Sequence, residues 1–131
     1  MKKELQDRLY TSYPKIFRQK DLSMMETCMF WGIDTLDGWY NILDQLCGAI
    51  QDYIDNNKKP QVEASQVKEK WGGLSFYYSG GDDVVQGAVM LAEHLSYKTC
   101  EICGSIKDVE CKENERHWVS TRCKTCRDGT K

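Results

Sequence analysis

Histidine is scarce in this sequence: His94 and His117 are the only two among 131 residues. Neither lies in an H-E-x-x-H motif, which excludes the helix-borne signature of zinc proteases. A zinc deaminase needs H-x-E followed by P-C-x-x-C. Here Ala92-Glu93-His94 reverses the order, and Thr99 stands where the proline would be. A Walker loop, a G-x-S-x-G elbow and a G-x-G-x-x-G turn are missing too. With no catalytic constellation, the expectation is a protein that is not an enzyme. Proline is equally rare, at Pro14 and Pro60 alone, and there is no internal repeat or low-complexity tract to act as a linker. No apolar stretch reaches the length of a membrane span, and Met1–Arg8 lacks the apolar run of a signal peptide. Neither sign of charge dominates: 18 Lys and Arg stand against 20 Asp and Glu. Such a balance gives no wholesale attraction to nucleic acid or membrane. A reduced, cytoplasmic setting is expected.

What the chain does have is cysteine. Cys100 and Cys103 form one C-x₂-C pair, and Cys123 and Cys126 form another, with 19 residues between them. That separation falls in the range of about 15–20 that marks a Cys₄ zinc site. Two residues between cysteines let one tight turn aim both sulfurs at a single ion, and two turns complete a tetrahedron. Gly104, directly after the first pair, suits such a turn because glycine takes positive φ without a steric penalty. One structural Zn²⁺ is therefore expected, with no open position for a substrate. Cys28, Cys47 and Cys111 are left over and read as small buried hydrophobes. His117 could stand in as a ligand, but four paired cysteines make it unnecessary.

The remaining pattern is that of an α+β protein. Leu5, Leu9, Tyr13 and Phe17 recur every four residues, a first helix that Pro14 should interrupt. Met24, Met25, Met29, Phe30 and Trp31 form an apolar patch, expected in the core as a strand or packed loop. Asp37 is a suitable N-cap for a spine helix carrying Trp39, Ile42, Leu43, Leu46, Cys47, Ile50 and Ile54. Val62, Ala64 and Val67, then Leu74, Phe76 and Tyr78, alternate as in a β-hairpin turning at Gly72-Gly73. Val84, Ala88, Leu91, Ala92 and Leu95 give a third helix its apolar face, with Asp82 or Asp83 near its N-terminus. The predicted architecture is helices packed on a small antiparallel hairpin or sheet over residues 1–97. A C-terminal zinc ribbon over residues 98–131, with strands near Ile106–Cys111 and Trp118–Arg122, packs on that core.

Two stretches qualify as binding surfaces. In the hairpin, Lys68 and Lys70 can meet anionic groups, while Trp71 and Tyr77 offer stacking faces. Gly72 and Gly73 would let a ligand approach closely, although the same residues also make an ordinary hairpin turn. The second stretch is Asp34-Thr35-Leu36-Asp37-Gly38-Trp39 at the start of the spine helix. Its free N–H groups favour an anion, while the carboxylates of Asp34 and Asp37 oppose one. In the ribbon, Arg122, Lys124 and Arg127 make a basic edge. From Lys98 to Lys131, eight basic residues face six acidic ones, a surplus that four thiolates and one Zn²⁺ would cancel. Nucleic acid is thus an alternative partner but not the favoured one.

Asp37-Gly38-Trp39-Tyr40, Leu43, Leu46-Cys47, then Gln66-Val67-Lys68-Glu69-Lys70-Trp71-Gly72-Gly73-Leu74 and Phe76-Tyr77, carry a resemblance. It continues through Ala92-Glu93, Leu95-Ser96 and Thr99-Cys100-Glu101 to the Cys123/Cys126 pair, covering roughly residues 30–126. On these motifs the chain resembles a group of small proteins encoded by phages and prophages. The resemblance transfers no catalytic residue. It implies an accessory protein acting in bacterial cytoplasm, and by analogy one that counters host defence. Such a protein would hold a host defence protein or sequester a nucleotide-derived signal. A zinc-ribbon nucleic-acid-binding regulator and an assembly protein forming a homo-oligomer around Met24–Trp31 are the two alternatives.

Overall fold

Leu5 and Leu9 sit one turn apart, and the chain begins with α1 (Lys3–Ser12), which buries Leu9. The computed structural model describes residues 1–129; Lys131, one of the basic residues counted above, lies outside them. α1 stops before Pro14, which disfavours helical backbone in the residue ahead of it. Tyr13 closes the helix, and its hydroxyl donates to Asp44 Oδ1 at 2.7 Å. Burial and that carboxylate together raise the Tyr13 pKa. Ile16 and Phe17 follow, both fully buried.

The apolar patch at Met24–Trp31 does not enter the core as expected. Only Met29 is buried, whereas Met24, Met25, Phe30 and Trp31 are exposed. The reason is backbone form: the segment runs through tight 3₁₀ turns, Arg18–Asp21 and Cys28–Trp31, in place of a helix or long strand. It presents no continuous apolar face, so one side chain in the patch reaches inward. Cys28 is exposed with it, as is Cys111; of the three spare cysteines only Cys47 is buried.

β1 (Ile33–Asp34) pairs parallel with β2 (Glu63–Lys70), which pairs antiparallel with β3 (Gly73–Ser79). Between them runs the spine, α2 (Tyr40–Asn57), burying Leu43, Leu46, Cys47, Ile50 and Ile54 at intervals of three and four. Each of the large side chains is worth about 1.5–3 kcal/mol on burial. Lys58, in the left-handed conformation (φ 52°), ends α2 ahead of Pro60. Asp37 does not cap it. A 3₁₀ turn, Asp37–Trp39, precedes α2, and the Asp37 carboxylate instead accepts from Lys2 N at 2.7 Å.

The hairpin turn lies one residue earlier than predicted. Trp71 and Gly72 occupy it, both with positive φ (54° and 83°), and Gly73 already pairs with Lys70 as the first residue of β3. Two left-handed residues in a two-residue loop match the twist of the flanking strands. The Glu69 carboxylate steadies the turn by accepting from Gly72 N at 2.7 Å.

α3 (Asp83–Ser96) is capped by Asp82, whose carboxylate accepts from Val84 N and Val85 N. Its buried face is Val85, Val89, Ala92 and Ser96. Of the residues expected there, Val84, Leu91 and Leu95 are exposed. The helix is rotated because its polar residues have work at the sheet edge. Ser96 Oγ accepts from Leu74 N at 2.8 Å, and Glu93 Oε2 accepts from Phe76 N at 2.9 Å. These side chains cover N–H groups that β3 would otherwise leave open to another strand.

The C-terminal module holds β4 (Val109–Glu113) antiparallel to β5 (Val119–Cys123), then α4 (Lys124–Gly129). It is seated on the core through bonds to backbone carbonyls. Gly38 N donates to Glu101 O at 2.9 Å, Trp39 Nε1 to Thr99 O at 3.0 Å, and Thr121 Oγ1 to Gly72 O at 2.5 Å. A Cβ on Gly38 would fall inside the backbone of Cys100 and Glu101. Gly87, inside α3, has nothing within 4 Å of a built Cβ. Gly38→Ala is therefore expected to destabilise the protein by about 1–3 kcal/mol. Gly87→Ala should stabilise it by about 0.5–1 kcal/mol through helix propensity. Urea unfolding followed by circular dichroism measures both, and equal effects would refute the seating described here.

Candidate metal centre

The first C-x₂-C pair is shaped by a turn in which Gly104 N donates to Cys100 O at 2.9 Å and Cys100 N to Ser105 O at 2.8 Å. Gly104 takes φ 80°, the conformation glycine permits. The second pair is placed differently. Cys123 ends β5 and Cys126 lies in the first turn of α4, so the turn of a short helix brings the two sulfurs together. Register does the rest: Glu101 N donates to Thr121 O at 2.9 Å, drawing the first turn against β5.

The four sulfurs of Cys100, Cys103, Cys123 and Cys126 all lie within 4.8 Å of one another. Cys103 Sγ and Cys123 Sγ are 3.7 Å apart, too far for a disulfide. The edge of a tetrahedron with 2.3 Å metal–sulfur bonds is about 3.8 Å. The geometry therefore fits a single ion, and an all-sulfur donor set selects soft or borderline metals. Cys100 and Cys123 are buried, while Cys103 is exposed. Against the desolvation that would raise it, N–H groups of Cys103, Cys123 and Ile102 bring the Cys100 thiol down to about 7. Burial, with the neighbouring sulfurs, pushes Cys126 up to about 12. Cys100 thus gives up its proton more readily than Cys103 and Cys126, whose thiols are pushed the other way. His117 takes no part, since its Nδ1 faces Glu113 Oε1 at 2.7 Å.

The other predicted site residues do not form one site. Trp39 is fully buried. Gly72 and Gly73 are buried as well, Gly72 against Cys111, Val119 and Thr121, and Gly73 against the Tyr97 ring. Their missing side chains serve the joint between core and module. Lys68 lies in the sheet opposite Asp34 and Ser75, and Lys70 is exposed near the turn. Trp71 is 70% exposed. Tyr77 lines a separate groove of about 640 Å³ between β3 and α3. Of the basic edge, Arg127 Nη1 donates to Arg122 O at 2.7 Å, Arg122 turns inward to Glu101, and Lys124 is exposed.

The joint forms an open cavity of about 420 Å³, bordered by Asp34, Glu69, Glu101, Trp118 and Arg122. A smaller one of about 200 Å³ adjoins it beside Lys70, Trp71 and Trp118. Glu69, Glu101 and Trp118 escaped the sequence reading. Trp118 looked like a strand residue, and only the docking of module on core brings it together with Glu69 and Glu101. None of the protein families, curated proteins or solved structures compared with the chain gives a significant match.

Elemental analysis of the purified protein should find one metal ion per chain, and Cys123→Ser should reduce this to near zero while Cys28→Ser leaves it intact. Hydrogen exchange in the metal-free variant should speed up in β4–β5 and leave α2 protected. Because the bound thiolates carry no protons, acid favours the metal-free form. Metal content should accordingly fall as pH drops below neutrality. A chain that keeps its fold and its exchange rates without metal would overturn the clamp.

Proposed function

We propose that this chain is a non-enzymatic binding protein of the phage accessory type, with one structural Zn²⁺ in its Cys₄ cluster. It acts in bacterial cytoplasm against host defence, by sequestering a nucleotide-derived signal or by holding a defence protein. Zinc is the ion that a closed set of four thiolates suits best, and such a site leaves no position for water or substrate. The observation that carries the reading is the joint between core and module. Trp71 and Trp118 flank its cavities and are 70% and 62% exposed. Indole surface left in water is unfavourable, and tryptophan placed beside a polar cavity suits contact with a base or a partner side chain.

A second reading is supported by Met24, Met25, Phe30 and Trp31, each exposed, with the Phe30 and Trp31 rings edge to face at 5.1 Å. An exposed pair of touching rings suits an interface between copies. The nucleic-acid reading has least support, since Arg127 donates to Arg122 O and Arg122 turns inward to face Glu101.

Native mass spectrometry of the protein purified from expressing cells separates these readings. The binding reading expects one Zn²⁺ and a retained small molecule or host protein on a monomer. It fails if the chain leaves the cell empty and engages neither nucleotide messengers nor host defence complexes. A dimer that becomes monomeric on Trp31→Ala favours assembly instead.

A further inference from the structure

Glu101 and Arg122 are held at the joint by their neighbours in sequence. Glu101 follows the ligand Cys100, and both its backbone groups are bonded, its N–H to Thr121 O and its carbonyl to Gly38 N. Arg122 precedes the ligand Cys123, and its carbonyl is taken by Arg127. Their side chains face each other without a good bond. The Glu101 side chain is only 7% exposed, yet its nearest donors are Thr121 N at 3.4 Å and Arg122 Nε at 3.6 Å. Both exceed the usual hydrogen-bond range of about 2.7–3.2 Å. Arg122 Nε is itself buried and has no hydrogen-bond partner among the described residues. Folded proteins rarely leave a buried carboxylate and a buried guanidinium nitrogen so poorly bonded. Both line the 420 Å³ cavity, which is of a size that small-molecule sites use, and Trp118 stands at its wall with 62% of its surface exposed.

An occupant of the cavity meets the Arg122 guanidinium, a set of donors, beside the Glu101 carboxylate, an acceptor. A simple cation is repelled by Arg122, and a simple anion by Asp34, Glu69 and Glu101. Guanine presents O6 and N7 as acceptors, the pair that arginine reads in bidentate fashion, and its N1–H and 2-amino group as donors on the next edge. Adenine has an amino group where guanine has O6, and its N1 carries no proton.

We propose that the joint cavity is a guanine-base site. Arg122 donates to O6 and N7, Glu101 accepts from N1–H and the 2-amino group, and Trp118 stacks on the ring. The assignment rests on the binding reading above and names the ligand class for it.

Titration of the full-length, metal-loaded protein with guanosine, inosine and adenosine 5′-monophosphates, followed calorimetrically, tests it. Guanosine monophosphate should bind saturably. The inosine nucleotide, which lacks the 2-amino group, should bind about tenfold more weakly, and the adenosine nucleotide about a hundredfold. Arg122→Met and Glu101→Gln should abolish the preference for guanine. Trp118→Ala removes an exposed side chain, so it should leave thermal unfolding unchanged while weakening guanosine monophosphate about tenfold. Absence of binding, equal affinity for guanine and adenine, or a Trp118→Ala protein that binds like the parent overturns the proposal. If the protein carries some other ligand from cells and ignores guanosine monophosphate, only the guanine assignment falls; a protein that leaves the cell empty and engages neither nucleotide messengers nor host defence complexes removes the binding reading as well.

Discussion

The structure depends on the close approach of module and core at two glycines, Gly38 and Gly72. At Gly38 the chain entering α2 lies directly on the Cys100–Glu101 turn, with Gly38 N donating to Glu101 O at 2.9 Å. At Gly72 the hairpin turn lies on β5, with its carbonyl accepting from Thr121 Oγ1 at 2.5 Å. Any side chain at Gly38 would hold the two bodies apart. The module, in turn, has little apolar interior of its own: Val109 and Val119 are only partly buried and most of β4 is exposed. A unit so small cannot offset its loss of chain entropy by burial alone. A metal joining Cys100 to Cys123 would supply the missing free energy and hold the surface that the glycines receive.

Periodicity made α2 and the hairpin legible. Leu43, Leu46, Cys47, Ile50 and Ile54 could lie on one side of a helix and nowhere else, and Leu74, Phe76 and Tyr78 alternate as one strand face must. The cysteine pairs were legible for a stronger reason, since their chemistry demands convergence whatever fold delivers it. Failures came where a local signal met a tertiary one. Val84, Leu91 and Leu95 look like a core stripe, yet Glu93 and Ser96 are needed against the edge of β3, and satisfying two strand N–H groups decides which way the helix turns. Leaving those groups buried and unbonded would cost about 1–3 kcal/mol each.

Gly72-Gly73 and Asp37 teach the same lesson at smaller scale. A glycine pair announces a turn, but register puts Trp71 into the left-handed position and Gly73 into the strand. The glycines are required by what lies against them, Thr121 and Cys111 on one side and Tyr97 on the other, and no local pattern encodes those neighbours. Asp37 is a good N-cap by type, but the intervening 3₁₀ turn moves the helix start to Tyr40, and the carboxylate finds the Lys2 backbone instead. Trp118 and Glu101 were invisible as a pair because they are 17 residues apart in sequence and meet only across the joint.

The metal cluster and the cavity are consequently parts of one device. Glu101 and Arg122 are each a single residue from a ligand cysteine, and the Glu101–Thr121 backbone bond fixes their separation. Across that backbone the acid and the guanidinium face each other at 3.6 Å, short of the tighter fork that Arg and Glu ordinarily form. A ligand entering the cavity would meet the pair on backbone already held in place. On the proposed reading, a centre with no open coordination position would govern binding by fixing the backbone on either side of the groups that touch the ligand.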